Sequence, residues 1–256
     1  MIISKIQGGL GNQLFQWAYG KFLSIKYKTE LFLDLNFYKY QIGNTPRDFE
    51  LIKFPNFIYN PPVSNNKKII KINDDFNHRE LSYNDNFNYY LDGYWQSEKY
   101  FKNISDIIKN ELNPTDEILK KLNSKIKKNS VSLHIRRTDY INSNGFHPIQ
   151  SIEYYDEALN IIGNYNQILI FSDDISWCKN NLKYENSIFI ENQTSIEDLW
   201  LMSLCEHNII ANSSFSWWGA WLNSNENKKV IAPKKWFGEH VSLNTSDIIP
   251  NNWLKI

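Results

Sequence analysis

The stretch Val131-Ser132-Leu133-His134-Ile135-Arg136-Arg137 joins an apolar run to two adjacent arginines. The run predicts a short buried strand, which places both guanidinium groups at its carboxyl end. Ligands bind at that edge in open α/β sheets. Arginine is scarce in this lysine-rich chain, and its planar fork holds a phosphate or carboxylate through two parallel hydrogen bonds. The pair therefore predicts an anion site, and a surface ion pair with Asp139 is the simpler alternative.

Strands and helices alternate on both sides of this stretch. After it, the periodicity predicts helices over residues 152–162, 175–182, 196–206 and 216–223, and strands over 167–171, 187–190, 208–211 and 229–232. Before it, strands over 2–6 and 31–35 flank a helix whose buried face holds Leu14, Ala18, Phe22 and Ile25. Such alternation indicates parallel sheets covered by helices. The predicted fold is α/β, with two Rossmann-like domains that face each other across a ligand cleft.

A charged segment separates the two series. Residues 105–128 show a helical pattern without glycine that ends in a lysine-rich run. Residues 40–90 are rich in asparagine and interrupted by proline, with no clear period. A chain of 256 residues suffices for two domains that each bury a core. We therefore predict an N-terminal domain over residues 1–128 and a C-terminal domain over residues 129–256.

Composition excludes several functional classes. Basic and acidic residues number 28 each, so the net charge is zero and no broad surface for nucleic acid is expected. Cys178 and Cys205 lie in helical patterns, which predicts buried thiols in a reducing compartment and excludes a disulfide scaffold or a cysteine-based zinc site. The first apolar run is too short for a signal peptide, and no stretch approaches a membrane span. The expected location is the cytoplasm.

Three of the ten glycines cluster between the first predicted strand and helix, in Gln7-Gly8-Gly9-Leu10-Gly11-Asn12-Gln13. Their spacing matches neither the dinucleotide fingerprint nor the P-loop, and a tight turn alone would explain them. In a functional loop, the backbone N–H groups and the side chains of Asn12 and Gln13 would stand at a helix N-terminus, where an anionic or hydroxyl-rich ligand binds. Gly9, Gly11 and Gln13 are therefore candidate substrate-binding residues.

The segment Phe171-Ser172-Asp173-Asp174 also stands between a predicted strand and a helix. One aspartate would cap the helix. The other would lie at the same sheet edge as the arginines, where a carboxylate can accept hydrogen bonds from N1 and N2 of guanine. The sequence leaves open which aspartate does which.

A third segment of this kind, residues 212–221, carries hydroxyl and amide groups at a helix start, which predicts a phosphate cradle. The candidate residues are Asn212, Ser213, Ser214 and Ser216, and the tryptophans that follow are interpreted as core. No Asp-x-Asp pattern occurs in the chain. A nucleotide-sugar enzyme built on this sequence would therefore neutralise a departing diphosphate with Arg136 and these serines, without a metal.

Six segments in order, spread over nearly the whole chain, resemble the bacterial α-1,2-fucosyltransferases of glycosyltransferase family 11. They are residues 8–16, 93–97, 134–140, 171–174, 212–221 and 253–256. The resemblance implies a glycosyltransferase-B fold, GDP-β-L-fucose as donor, inversion at the anomeric carbon, and no metal or other cofactor. It assigns the acceptor side to residues 1–128 and GDP-fucose binding to residues 129–256.

The arginine block is also similar to that of the α-1,6- and protein O-fucosyltransferases, which implies roles for single residues. Arg136 would bind the β-phosphate, and the serine segment would contact the diphosphate. His134 and either Asp173 or Asp174 would contact the guanosine. Asn12 would lie near the transferred sugar.

The catalytic base stays open. The α-1,6 enzymes have a glutamate where this chain has Asn144. Asp139 is the remaining carboxylate of the block, and it either takes the proton or only orients Arg137. Attack on a strongly polarised fucosyl group with little help from a base is the third possibility.

The resemblance implies transfer to the 2-hydroxyl of a terminal galactose in an oligosaccharide or a lipid-linked glycan. A fucosyltransferase of another linkage is one alternative, and a sugar-nucleotide-binding or glycan-binding protein without turnover is the other. The expected partners are GDP-fucose and the acceptor, without nucleic acid. A peripheral position at the inner membrane stays open.

Overall fold

The computed structural model describes residues 1–41, 46–61, 63, 65–74 and 76–256, which fall into two compact units. The first unit comprises Met1–Asn113 and Leu243–Pro250, and the second comprises Pro114–Ser242 and Asn251–Ile256. The division lies at Pro114, earlier than the predicted boundary between residues 128 and 129. The chain also returns to the first unit after Ser242, which no local sequence pattern predicts.

The first unit is built on a parallel sheet with the strand order β2-β1-β4-β3 in the described residues. Its elements are β1 (Ile2–Lys5), α1 (Leu10–Lys26), β2 (Leu31–Asp34), β3 (Lys68–Asn73), β4 (Phe87–Asp92) and α2 (Ser105–Glu111), with short 3-10 helices at Asn36–Lys39, Leu51–Lys53, Glu98–Tyr100 and Lys102–Ile104. In the register of the sheet, Ile2 lies between Leu31 and Tyr89. Strand β3 and most of β4 come from the segment without a clear period.

Helix α1 is buried on more sides than its apolar periodicity predicts. Every residue from 10 to 20 except Asn12 is buried. The reason is that the sheet covers one side of the helix and aromatic rings from later segments cover others, as Phe101 does against Phe15. The predicted face is buried in its first half, but Ile25 in the last turn is 40% exposed.

The second unit contains a parallel sheet with the strand order β10-β9-β8-β5-β6-β7 in the described residues. Its elements are α3 (Asp116–Asn123), β5 (Ser130–Ile135), α4 (Thr138–Ile141), α5 (Ile152–Ile162), β6 (Gln167–Ser172), α6 (Ile175–Asn181), β7 (Ser187–Phe189), α7 (Ser195–Leu204), β8 (His207–Ile209), α8 (Ser214–Leu222), β9 (Val230–Ala232) and β10 (Leu254–Lys255). Every strand and helix predicted for residues 152–232 is present, with small shifts at the ends. No helix in the described ranges has the length and apolar character needed to cross a membrane.

Pro114 accounts for the division between α2 and α3. A proline disfavours helical backbone at the residue before it, here Asn113. Thr115 then begins α3, because its hydroxyl accepts a hydrogen bond from the N–H of Ile118 at 3.4 Å. The charged segment 105–128 is therefore two helices that belong to different units.

The arginine, aspartate and serine clusters predicted from the sequence lie at the carboxyl edge of the second sheet. Strand β5 is buried along its whole length, as expected of a strand with helices on both faces of its sheet. Strands β6 and β7 lie on one side of β5, and β8, β9 and β10 lie on the other. The strand order thus reverses between β5 and β8, where open α/β sheets bind ligands. Residues that follow β5, β6 and β8 meet at this edge.

Candidate functional site

Arg136 is held by two carboxylates at the end of β5. Its Nε and Nη2 donate to Asp139 Oδ1 at 2.9 Å and Oδ2 at 2.7 Å, and Nε lies 3.3 Å from Asp173 Oδ2. The ion pair with Asp139 is therefore real, and it is a bidentate fork whose side chains are only 21% and 31% exposed. Asp139 orients Arg136, which corrects the expectation that it would orient Arg137.

Asp173 fastens the segment after β5 to the end of β6. It accepts hydrogen bonds from the backbone N–H of Arg137 at 2.9 Å and of Thr138 at 3.0 Å, and from the Thr138 hydroxyl. Burial alone would raise the pKa of Asp173, but the charge of Arg136 and these hydrogen bonds lower it below its usual value. Asp173 is therefore an anion at neutral pH, and it fixes the backbone conformation of the segment that carries the two arginines.

Asp174 caps the helix that follows. Its Oδ1 accepts from the N–H of Trp177 at 3.1 Å at the start of α6, and its Oδ2 lies 3.5 Å from Arg137 Nε. The Arg137 guanidinium lies over the Trp177 ring, 3.7 Å from the centroid. Because Asp174 is the cap, Asp173 is the remaining candidate for the guanine contact, which stays a prediction. Arg137, predicted to bind substrate, packs against α6 instead of joining the Arg136 fork.

His134 is buried within β5, at 4% exposure. Burial and the nearby charge of Arg136 lower its pKa to about 3, so that the imidazole is neutral at physiological pH. Its Nδ1 has no hydrogen-bond partner among the described residues. Buried polar atoms normally have a partner, so a ligand that supplies one here would be stabilised. The guanosine contact of His134 remains a prediction.

The serine segment starts helix α8 at the same sheet edge. Ser213 is the N-cap residue, and Ser214 opens the helix. The Ser216 hydroxyl donates to the C=O of Ser213 at 3.3 Å, and no side-chain cap reaches the first N–H groups of α8 in the described structure. Backbone donors at a helix start bind anions well. The first turn of α8 is therefore suited to a phosphate.

Asn212 has a structural role, because its side-chain amide bonds to other protein groups. Its amide donates to the C=O of Trp236 at 2.9 Å and accepts from Gln150 Nε2 at 3.1 Å, and the residue is 1% exposed. The Tyr140 hydroxyl donates to its backbone C=O at 2.8 Å. Both ends of the amide that was predicted to bind phosphate are thus bonded to protein groups. Trp217 in the same segment is fully buried, as its interpretation as core requires.

In the first unit, glutamine side chains shape the glycine loop, residues 7–13. Gly8 has φ +77°, a backbone conformation that favours glycine, and a Cβ there would lie 2.9 Å from the Asn12 amide nitrogen. Gln13 is fully buried; its amide donates to the C=O of Gly8 at 3.0 Å and of Asp48 at 2.8 Å, and accepts from the N–H of Glu50 at 2.9 Å. The predicted substrate contact of Gln13 is therefore replaced by a clamp on the backbone.

Asn12 joins two of the motifs that are far apart in the chain. Its Oδ1 accepts a hydrogen bond from Gln96 Nε2 at 2.8 Å, so the glycine loop meets residues 93–97. Gly9 is the N-cap residue of α1, and Gly11 is buried in its first turn. No local sequence pattern predicts that Gln96 contacts Asn12, because the two residues belong to different elements. Gln96 is marked only by its place in the motif at residues 93–97.

Two aromatic residues lie beside Arg136 and were not predicted from the sequence as site residues. The Tyr140 ring lies 5.8 Å from the Arg136 guanidinium and stacks on His147, with centroids 4.6 Å apart. Burial lowers the pKa of His147, and its Nδ1 has no hydrogen-bond partner in the described ranges. The segment between them has no periodicity, so no pattern predicts that the rings meet.

The described residues contain no group of three or more His, Cys, Asp or Glu side chains placed to hold a metal ion. At the edge described above, Asp139 and Asp173 are both paired with Arg136. A guanidinium thus occupies the place where a cation would be expected beside two carboxylates. That activity requires no metal remains a prediction.

Residues 47–256 match the model of glycosyl transferase family 11. The chain is 35% identical to an alpha-1,2-colitosyltransferase from Escherichia coli, over all of this chain and 99% of that protein. It is 31% identical to the O-antigen biosynthesis glycosyltransferase WbnK from Escherichia coli, over 99% of each chain. The crystal structure of the alpha-1,6-fucosyltransferase NodZ soaked with GDP-fucose, a protein from Bradyrhizobium, is similar at a TM-score of 0.50, with 13% identity over 86% of this chain and 91% of that chain. This similarity confirms the predicted α/β fold of the glycosyltransferase-B type.

Proposed function

Because the chain belongs to glycosyltransferase family 11, we propose that it transfers L-fucose from GDP-β-L-fucose to the 2-hydroxyl of a terminal galactose. The observation that carries the donor assignment is the Arg136 fork at the carboxyl edge of the second sheet. A guanidinium there can hold a diphosphate through two parallel hydrogen bonds. The first N–H groups of α8, which follows the neighbouring strand β8, supply further donors.

Donor binding at this edge implies an exchange of partners. Arg136 is paired with Asp139, and a diphosphate that takes the fork displaces that carboxylate. The diphosphate then takes the place of the Asp139 carboxylate on the Arg136 fork. We assign Asp139 the role of accepting the proton of the attacking hydroxyl. This assignment chooses one of the alternatives that the sequence left open.

The reaction balances without a further reagent. The galactose 2-hydroxyl oxygen bonds to the anomeric carbon of fucose, the bond from that carbon to the β-phosphate oxygen breaks, and the hydroxyl proton passes to Asp139. GDP leaves with the electron pair, and Arg136 with the α8 amides stabilises its charge. Attack from the face opposite the diphosphate gives inversion. Because Arg136 and the α8 amides neutralise the departing diphosphate, the proposed reaction needs no metal. Asn12 is proposed to contact the transferred sugar.

A second donor is favoured by one relative. The 35% identity to an alpha-1,2-colitosyltransferase spans the whole chain. Colitose is L-fucose without its 3-hydroxyl, so the same diphosphate site could serve a GDP-linked colitose. A site that hydrogen-bonds the 3-hydroxyl would reject the deoxy sugar strongly, because its polar groups would be left unpaired. GDP-fucose and GDP-linked colitose are thus the two candidate donors, and the proposed linkage is the same for both.

One experiment tests donor, acceptor and linkage together. The protein is incubated with lactose and either GDP-fucose or GDP-colitose, and kcat/KM is measured for each donor. NMR of the product should show a cross-peak from the sugar anomeric proton to galactose C2. A cross-peak to galactose C3 or to the glucose residue would refute the linkage and leave the donor standing. Consumption of neither donor, with lactose or with longer galactose-terminated oligosaccharides, would refute the function.

A further inference from the structure

The strand order of the first sheet changes direction at β1. The chain adds β2 on one side of β1 and then crosses to the other side, where β4 lies beside β1 and β3 lies beyond it. In open α/β sheets, ligands bind outside the carboxyl ends of the strands at such a change of direction. The glycine loop follows β1 and residues 93–97 follow β4, so the two motifs leave the sheet at this point. The hydrogen bond from Gln96 Nε2 to Asn12 Oδ1, at 2.8 Å, joins them.

Asp74, the residue after β3, holds the backbone that leads to Gln96. Its Oδ2 accepts hydrogen bonds from the N–H of Tyr94 at 3.1 Å and of Trp95 at 2.7 Å. Trp95 has φ +55°, a backbone conformation that residues other than glycine rarely adopt. Such a conformation persists where the surroundings enforce it, and it occurs preferentially at functional sites. Gln96 therefore follows a backbone that its surroundings hold in place.

The two ends of the Gln96 side-chain amide differ in their partners. Its Nε2 donates to Asn12, whereas its Oε1 is buried and has no hydrogen-bond partner in the part of the chain that the structure describes. A buried amide oxygen without a donor costs free energy, and buried polar atoms normally have a partner. At Gln13, by contrast, backbone groups occupy both ends of the amide. A ligand that donates a hydrogen bond to the Gln96 oxygen would therefore be stabilised.

The chemistry of this oxygen selects the kind of ligand group. An amide oxygen only accepts hydrogen bonds, so its ligand must supply a donor. The ring hydroxyls of a sugar are donors, whereas the ionised phosphates of a nucleotide sugar have no proton to donate. A sugar hydroxyl therefore suits Gln96, and a diphosphate does not.

We propose that Gln96 is a specificity-determining residue, and that its Oε1 accepts a hydrogen bond from a ring hydroxyl of the transferred sugar. The inference rests on the proposed function, in which the neighbouring Asn12 contacts that sugar. L-Fucose carries ring hydroxyls at C2, C3 and C4. A donor without the hydroxyl that Gln96 binds would leave the amide oxygen unpaired, and the site would reject it. Gln96 thereby sets which deoxy sugars the enzyme accepts.

The test uses GDP-fucose and its 2-deoxy, 3-deoxy and 4-deoxy analogues as donors, with lactose as acceptor. The 3-deoxy analogue is GDP-linked colitose. Gln96→Met keeps the length of the side chain and removes the amide. The fall in kcat/KM that it causes should be roughly tenfold smaller for the one analogue that lacks the bound hydroxyl than for the other donors. An equal fall for every donor would mean a purely structural role and would overturn the inference, while transfer to lactose upheld the proposed function.

Two further variants serve as controls. The Gln41 amide donates to the C=O of Arg47 and accepts from the N–H of the same residue, both at 2.7 Å, so Gln41→Met removes an amide with a structural role. It should change kcat/KM by the same factor for every donor. Gln96→Glu keeps an acceptor oxygen and should reject the same analogue as the unsubstituted protein. Loss of that rejection in Gln96→Glu, or a difference among donors in Gln41→Met as large as that in Gln96→Met, would refute the contact through Oε1.

Binding measured without acceptor distinguishes failure of this inference from failure of the proposed function. Gln96→Met should raise the calorimetric Kd for GDP-fucose roughly tenfold and leave Kd for GDP unchanged, because GDP lacks the sugar. In a protein that transfers neither fucose nor colitose to lactose, this result would uphold the sugar contact without the proposed function. Kd values for both ligands that rise equally, or not at all, would refute the contact in such a protein.

Discussion

The glycine loop of the first unit and the arginine block of the second use polar side chains in opposite ways. In the loop, Gln13 is fully buried, and its side-chain amide forms hydrogen bonds with backbone groups of three other residues. In the block, Arg136 pairs with Asp139 and with Asp173 at a partly buried sheet edge. The loop amide is therefore part of the scaffold. The charged groups of the block form pairs that an anionic ligand can exchange.

This difference separates residues whose loss unfolds the site from residues whose loss disables it. An amide that bonds buried backbone cannot turn to a ligand without leaving those groups unsatisfied. A partly exposed ion pair gives up one partner and gains another of the same charge at little net cost. Substitutions in the two regions should accordingly have different signatures.

The largest effect is expected from Arg136→Lys. Turnover should fall roughly 100-fold or more, because an ammonium cannot reproduce the fork on the departing diphosphate. Steady-state kcat with GDP-fucose measures this, and Tm should change little. Arg137→Lys is the matched control. Its guanidinium packs on Trp177, so its substitution should affect stability more than turnover. Near-normal turnover in Arg136→Lys would remove the central assignment.

Gln13→Ala should show the opposite signature. It removes the amide that bonds the N–H of Glu50 and the C=O groups of Asp48 and Gly8, of which Gly8 keeps the hydrogen bond from the Tyr38 hydroxyl. The free energy of unfolding should fall by about 2–3 kcal/mol. Urea denaturation measures this loss. Asn12→Ala, which removes a half-exposed amide from the same helix turn, should reduce turnover with a smaller loss of stability. A stable but inactive Gln13→Ala would mean that the glutamine contacts substrate after all.

The two neighbouring aspartates allow the same contrast within one sheet edge. Asp173→Asn should weaken GDP binding by about 1–3 kcal/mol, through a lost guanine contact and a disturbed Arg136. Asp174→Ala should lower stability by about 1 kcal/mol, through loss of the cap on α6, with GDP affinity nearly unchanged. Isothermal titration with GDP and denaturant unfolding of both variants decide the matter. If GDP affinity is unchanged in Asp173→Asn, the guanine assignment is wrong.

Asp173 should also contribute to acid lability. Its pKa is lowered in the folded state from an ordinary value of 3.8, so its stabilising effect is fully present above about pH 4 and is lost as the pH falls through the lowered folded value. The free energy of unfolding should therefore decrease with acid in this window. Asp173→Asn should flatten the decrease, whereas a slope identical to that of the unsubstituted protein would assign it to other carboxylates.

The smallest effect is expected from chelation. If Arg136 and the α8 amides carry the charge of the departing diphosphate, activity should survive millimolar EDTA unchanged. Initial rates with and without EDTA measure this. Loss of activity that Mg²⁺ or Mn²⁺ restores would show that protein cations do not suffice.

Much of the second unit could be predicted from sequence, because each buried strand and the following helix carry their own periodic pattern. Parallel strands end at a common edge, so the positions of Arg136, Asp173 and Ser213 followed from the strand ends alone. Strand β10 could not be predicted, since two exposed residues become a strand only by pairing with β9. Strand β3 was missed for a related reason. It is largely exposed, and no buried alternation marks it.

The partners of the site residues could not be predicted. Asn212 looked like a phosphate ligand, but its amide bonds Trp236 and Gln150, which no local pattern brings near. Asp139 pairs with Arg136 instead of Arg137, and this depends on how the backbone turns after β5. Sequence patterns place the backbone of an element. Side-chain partners depend on which distant element arrives beside it.

The return of the chain to the first unit has a consequence for recombining this protein with its relatives. Residues Leu243–Pro250 belong to the first unit, where Asp247 pairs with Lys99, and β10 then pairs with β9 in the second. A chimera joined only at Asn113–Pro114 would take the first unit from one parent and the Asp247 segment from the other. Exchanging the first unit between family members therefore calls for two pieces, residues 1–113 and 243–250, transplanted as a set.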